Sequence, residues 1–250
     1  MAGHSKWANI KRRKGAQDAI RGKLFTKLIK EIMVAARMGG GDLDANPRLR
    51  LAVDKAKANS MPRDNIKRAI DKATGNVDTA SYEELIMEGY GPGGVAVMLE
   101  ILTDNRNRTA SEVRFAFTKG NGNLGTTGCV SYMFHRKGIL LVPCESTDED
   151  SVMMTALEAG AEDISEDDDT WEIVSGPDEF MTVKDALTEA GIQTTSAELR
   201  YLPDLNVDLV GKEAEQFMRL IDLLEDCDDV QEVHHNADIS AEELARLVGE

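Results

Sequence analysis

Cysteine is scarce in this chain: three in 250 residues, Cys129, Cys144 and Cys227, an odd number with no C-x-x-C pair. That excludes a disulfide framework and a structural zinc site, and reduced thiols in a cytosolic setting fit best. Histidine occurs only four times, and no Ser/Cys-His-Asp arrangement can be built from the spacing, so no enzyme is expected. Apolar runs are short everywhere. None approaches the roughly 20 residues of a membrane span, and the N-terminus begins on polar and basic residues where a secretion signal would be apolar. A cytoplasmic protein without membrane attachment is the expectation. With 42% hydrophobic and 30% charged residues the composition is that of a globular protein, long enough for two or three domains.

Positive charge is the scarcer sign, with 29 Lys+Arg against 45 Asp+Glu and a net charge of -16. Its distribution matters more than the total. Residues 1–79 hold 18 of the basic residues and 8 acidic ones, a net of +10, whereas residues 80–250 carry 11 against 37, a net of -26. Such a split points to a polyanion-binding segment carried on an acidic body.

Residues 1–14, MAGHSKWANIKRRK, have neither helical nor strand period and read as an exposed arm. From about Ala16 to Arg37, Leu24, Phe25, Leu28, Ile29, Ile32, Met33 and Ala36 recur at three- and four-residue spacing, with Lys23, Lys27 and Lys30 on the opposite side. One face should pack and the other present charge. Asn46-Pro47 caps a second helix to about Ala58, and Pro62 opens a third that Gly75 ends. Beyond Thr79, strands are expected at Gly94–Leu102, Cys129–Phe134 and Gly138–Val142, with a helix at Thr109–Lys119. Helix, strand, strand, helix and strand then follow to about Leu202, a β-α-β-β-α-β order. A last helix and strand lie between Lys212 and Val233. The fold class is therefore α+β: an N-terminal three-helix domain plus two ferredoxin-like α/β lobes, one inserted in the other. The boundaries are 1–80 for the basic helical domain, 81–136 with 207–250 for the middle domain, and 137–206 for the inserted one.

The densest chemistry is KWANIKRRKGAQDAIRGKLFTKLIK, in which nine Lys or Arg from Lys6 to Lys30 surround Trp7, with no acid before Asp18. Lysine and arginine gain affinity by releasing counterions from phosphates, and an aromatic can stack on an unpaired base. The candidate nucleic-acid contacts are Lys6, Trp7, Lys11, Arg12, Arg13, Lys14, Arg21, Lys23, Lys27 and Lys30. Against this stand intramolecular ion pairs with the acidic body, or a basic helix on a membrane surface. A second patch is Asn105, Arg106 and Arg108, in a loop just ahead of a helix that carries Arg114 and Lys119, although Thr109 capping that helix explains the loop equally well.

Other motifs fall to their structural explanations. GNGNLG, Gly120–Gly125, matches G-x-G-x-x-G but follows a helix and precedes a strand, the reverse of a dinucleotide site. GYGPGG lacks the Lys-Ser/Thr of a phosphate loop, and the acidic runs 145–150 and 162–169 lack calcium-loop spacing. On a strand, His234 and His235 would point to opposite faces. No metal and no cofactor is expected.

The segments AGHSKWANIKRRKGAQDAIRGKLFTKLIKEI, NPRLRLAVDKAKANSMPRDNIKRAI, GYGPGG, TDNRNRT and GNLG resemble the YebC family nearly end to end. These are the bacterial relatives of the mitochondrial translational activator of cytochrome oxidase. Asn121 stands where glycine is usual in the family, and Cys129 where serine is usual. The resemblance implies one helical and two ferredoxin-like domains in a hook around a cleft, and a cytoplasmic DNA-binding transcriptional regulator. Mitochondrial and some bacterial relatives imply instead a translation factor on ribosomal RNA and the ribosome. A protein-interaction scaffold with the arm paired to its own acidic patches is the reading from a different class. Oligomeric state is not legible.

Overall fold

A computed structural model describes residues 17–75, 81–167 and 169–248. The chain divides into two compact units, one of residues up to Ser131 and from Asn206 onward, the other of Tyr132–Leu205.

The first unit opens with three helices, α1 (Gln17–Gly39), α2 (Pro47–Ala58) and α3 (Arg63–Thr74). The Asn46 side chain accepts from the Leu49 backbone N–H and donates to the carbonyls of Ala35 and Gly40, so one residue caps α2 and ties it to the end of α1. Leu28, Ile32 and Ala35 of α1, Leu49 and Val53 of α2, and Ile66 and Ala69 of α3 close one apolar core.

The rest of this unit is an antiparallel sheet in the order β3-β1-β2-β9, from β1 (Glu83–Tyr90), β2 (Ala96–Thr103), β3 (Asn123–Leu124) and β9 (Val230–His235). Alternation sends Val97, Leu99 and Ile101 to one face, where helices α4 (Arg106–Lys119) and α7 (Gly211–Glu225) cover them with Val113, Phe117, Phe217 and Leu220. Glu84, Glu100, Glu232 and His234 fall on the other face, and there α2 reaches the sheet through Arg48 to Glu84 and Lys55 to Glu232. A parallel pair of β8 (Val207–Asp208) and β10 (Ala237–Asp238) and a helix α8 (Ala241–Val248) complete the unit.

The second unit is β4 (Phe134–Pro143), α5 (Glu149–Glu158), β5 (Ala161–Asp167), β6 (Thr170–Ser175), α6 (Phe180–Glu189) and β7 (Ser196–Pro203), with strand order β5-β6-β4-β7. That is the ferredoxin-like β-α-β-β-α-β arrangement, every pair antiparallel. Val152, Ile173, Phe180 and Leu187 are fully buried in its core.

Four expectations need correction. The strand expected at Cys129–Phe134 is a turn and a short 3-10 helix (Ser131–Met133), because the buried Glu88 carboxylate draws the backbone N–H groups of Gly128, Val130 and Ser131 to itself. A strand needs those donors for its ladder. The Gly138–Val142 strand starts four residues earlier, at Phe134. β1 and α8 were not anticipated: three acids hide the alternation of EELIMEGY, and α8 is a single eight-residue helix.

Gly120 ends α4, its N–H donating to the Ala116 carbonyl at 2.9 Å, and Asn121 takes the left-handed position at φ 58°. Asparagine is one of the few L-residues that adopts that conformation readily. A Cβ on Gly120 would lie 2.5 Å from Leu220 Cβ and 2.8 Å from its Cα. Gly120→Ala is therefore expected to destabilise by about 1–3 kcal/mol through overpacking of α4 on α7, read as a lowered urea midpoint at constant m.

Candidate nucleic-acid interface

Of the first basic cluster, Lys6, Trp7, Lys11, Arg12, Arg13 and Lys14 lie outside the described residues, so the geometry begins in α1. Arg21 reaches the Ser60 carbonyl from Nη2 at 3.4 Å and stacks over the Phe25 ring at 5.4 Å, placing α1 at Arg21 beside the α2–α3 connection. The next three lysines all point at the end of α7 and the loop after it. Lys23 Nζ pairs with Asp226 at 2.9 Å, both groups well exposed. Lys27 Nζ donates to the Glu225 carbonyl at 2.7 Å, and Lys30 Nζ donates to the Asp228 carbonyl at 2.9 Å and to Asp229 Oδ1 at 2.8 Å. A helix C-terminus has unpaired carbonyls and a partial negative charge, which is where ammonium groups are most favourable. The helix face expected to present these three lysines to solvent instead holds α1 to the acidic body.

Asp229 organises this junction. Its side chain is 4% exposed and accepts from Lys30, from Arg108 Nη2 at 2.7 Å, from Thr109 Oγ1 at 2.8 Å and from Thr103 Oγ1 at 3.1 Å. Burial alone works against ionisation, but the hydrogen bonds from Lys30, Arg108 and Thr109 outweigh it and hold the carboxyl down at about 2.

The same geometry reassigns the second patch. Residues 106–109 form the first turn of α4, not a loop, and the cap is Asn105, whose side chain accepts from the Arg108 N–H at 3.1 Å. Thr109 is buried one turn in, on Asp229. Arg108 bridges Asp104 and Asp229, and Arg106 lies 4.0 Å from Glu83. Arg114 and Lys119 are exposed further along α4, with Lys119 over the exposed ring of Phe115.

The histidines behave as their alternation requires. His234 Nε2 lies 2.8 Å from Glu100 on one face of β9, and His235 meets Phe217 edge-on in the core behind the other. Burial, aided by Glu112, pushes the Cys227 thiol up to about 11, and burial also raises Cys129, so neither is primed as a nucleophile. The sequence reading overlooked α3. Its exposed Arg63, Lys67 and Lys72 stand at four- and five-residue steps in MPRDNIKRAIDK, a signal masked by Asp64 and Asp71.

Residues 5–76 match the TACO1/YebC protein N-terminal domain, and residues 82–237 match the TACO1/YebC second and third domain. The chain belongs to the TACO1/YebC family. Relatives in Desulforapulum autotrophicum, Syntrophotalea carbinolica and Geobacter sulfurreducens are 56%, 57% and 56% identical, over 97%, 100% and 99% of this chain and 98%, 100% and 100% of theirs. Each of these TACO1/YebC relatives is called a probable transcriptional regulatory protein. The crystal structure of a conserved hypothetical protein from Aquifex aeolicus is similar at a TM-score of 0.80 and 46% identity, covering 91% of this chain and 94% of that one.

Proposed function

We propose that this TACO1/YebC protein is a non-enzymatic, nucleic-acid-binding regulator of gene expression, acting in the cytoplasm as a DNA-binding transcriptional regulator. The observation that carries the reading is the division of charge, +10 over residues 1–79 against -26 over the remainder, with the basic residues densest between Lys6 and Lys14. An arm of that composition gains affinity from every phosphate it neutralises, while the acidic body repels nucleic acid and so orients the protein on it. The names of the relatives support a role in regulation. Among the described residues no helix is long and apolar enough to cross a membrane. The three-way division at residues 80, 136 and 206 is part of the proposal, with the first domain as the binding element.

Internal partners weigh against some of the candidate contacts. Lys30 and Arg108 would each have to abandon a buried carboxylate to reach a phosphate, so Lys6, Trp7, Lys11, Arg12, Arg13, Lys14 and Arg21 are the principal contacts. Lys23 can exchange Asp226 for phosphate at little cost, because exposed ion pairs are worth at most about 1 kcal/mol.

The test is crosslinking in cells followed by sequencing of bound DNA and RNA in parallel, for the native chain and for K11A/R12A/R13A/K14A. Enrichment at discrete promoters that disappears in the variant supports transcriptional regulation. Enrichment of ribosomal RNA that disappears in the variant moves the protein to translation, a reading favoured by Trp7 as a stacking residue in a basic arm. Equal recovery from both proteins overturns the arm as the binding element.

A further inference from the structure

We infer that the outer face of α3, with Arg63 and Lys67 at its centre, is a second phosphate-backbone-binding surface. The inference rests on the nucleic-acid reading above and assigns it a place on the folded domain.

The fold has already neutralised many of the cations of the helical region. On α1, Lys23, Lys27 and Lys30 serve Asp226, the Glu225 carbonyl and Asp229. On α2, Arg48 pairs with Glu31 and Glu84, Lys55 with Glu232, and Lys57 lies 3.6 Å from Asp54. The contacts to Glu84, residues 225–229 and Glu232 seat the two helices on the acidic body, while Arg48–Glu31 and Lys57–Asp54 pair within the helical region. α3 differs. Its buried side, Ile66, Ala69 and Ala73, faces the helical core, and its opposite side carries Arg63, Lys67, Arg68 and Lys72 in exposed positions. Arg68 folds back on its own helix, donating to the Asp64 carbonyl and Asn65 Oδ1. Among the described residues, no carboxylate lies within ion-pair distance of Arg63, Lys67 or Lys72, although Asp64 and Asp71 share the helix.

Uncommitted cations on a rigid helix are suited to a polyanion, since they lose no internal partner on binding and release counterions when they meet phosphate. Arg63 and Lys67 are one turn apart on one stripe, so a single strand of backbone can touch both. Position supports the same occupant. The Arg21–Ser60 hydrogen bond holds α1 at Arg21 against the α2–α3 connection, three residues before Arg63 in the chain, so the Arg21 cation stands at this end of α3.

The experiment compares the full-length native chain with R63A/K67A and with K212A/R219A, which removes the same charge from exposed positions on α7. Labelled duplex DNA and single-stranded RNA are titrated separately at 50–200 mM KCl by fluorescence anisotropy, after thermal melts show that each variant is folded. The expected result is a roughly tenfold or greater loss of affinity for R63A/K67A, with the salt slope on duplex lowered by about 1.8, or roughly 0.9 per lost contact. K212A/R219A should retain native affinity. An R63A/K67A slope and affinity equal to those of K212A/R219A would overturn the α3 surface, and the arm reading would survive if K11A/R12A/R13A/K14A still lost binding. A native chain that binds neither polymer overturns both. Loss on one polymer alone supports the surface and names that polymer as its target.

Discussion

Replacing Asp229 by alanine is expected to destabilise the protein by about 3 kcal/mol, seen as a fall in Tm of about 6–12 °C. The carboxylate is almost wholly buried and is the common acceptor for α1 through Lys30, for α4 through Arg108 and Thr109, and for β2 through Thr103. Alanine would leave Lys30, itself only 14% exposed, without its counter-charge, whereas Arg108 is half in solvent and keeps Asp104. That is why the loss falls at the lower end of the range for broken buried pairs. The pH dependence has a definite sign. The folded pKa of about 2 lies below the unfolded value near 3.9, so the stabilisation is complete above about pH 4 and disappears as pH falls through 2. The shift corresponds to roughly 2–3 kcal/mol. Urea melts of the native and D229A proteins between pH 6 and pH 2 should therefore converge at the acid end, and a gap that stays constant would show that the carboxylate's charge is not what matters.

The helical domain was legible in the sequence because its signals are local. Asn46-Pro47 starts a helix wherever an apolar 3.6-residue period follows, and Ala36, Leu49 and Ile66 lie on the stripes that their spacing requires. The inserted β-α-β-β-α-β lobe was legible for the same reason, each element following the last in order. What failed was decided at long range. Val130 and Tyr132 have strand composition, yet Glu88, about forty residues earlier, takes the donors a ladder would need. The site fared likewise. The basic residues of α1 were visible, but their partners at positions 225–229 stand about 200 residues away, and no periodicity connects the two. Sequence could therefore say that the cations exist, and only the fold could say that Lys27 and Lys30 are held by internal acceptors while Arg63 and Lys67 meet no carboxylate among the described residues.

Glu88 is the second residue whose loss should be severe. Glu88→Ala is expected to cost about 3–4 kcal/mol, because three backbone donors, Gly128, Val130 and Ser131, lose charge-assisted acceptors at 2.7, 2.8 and 2.8 Å and no sheet ladder takes them up. The side chain is 2% exposed, so water reaches the vacated site poorly. Glu88→Gln should lie between alanine and the native residue: one oxygen still accepts, but the amide NH2 meets a backbone N–H and the two donors repel. Burial opposes ionisation of Glu88, yet the three N–H groups outweigh it and hold the carboxyl below the usual carboxylate range. Its contribution is thus present above the unfolded pKa near 4.3 and lost as pH falls through the lowered value. Amide hydrogen exchange at Gly128, Val130 and Ser131 separates this local clamp from general destabilisation. Exchange at these three positions should quicken in E88Q more than exchange in β2, and a uniform change across the unit would mean that Glu88 acts through the core and not by clamping the loop.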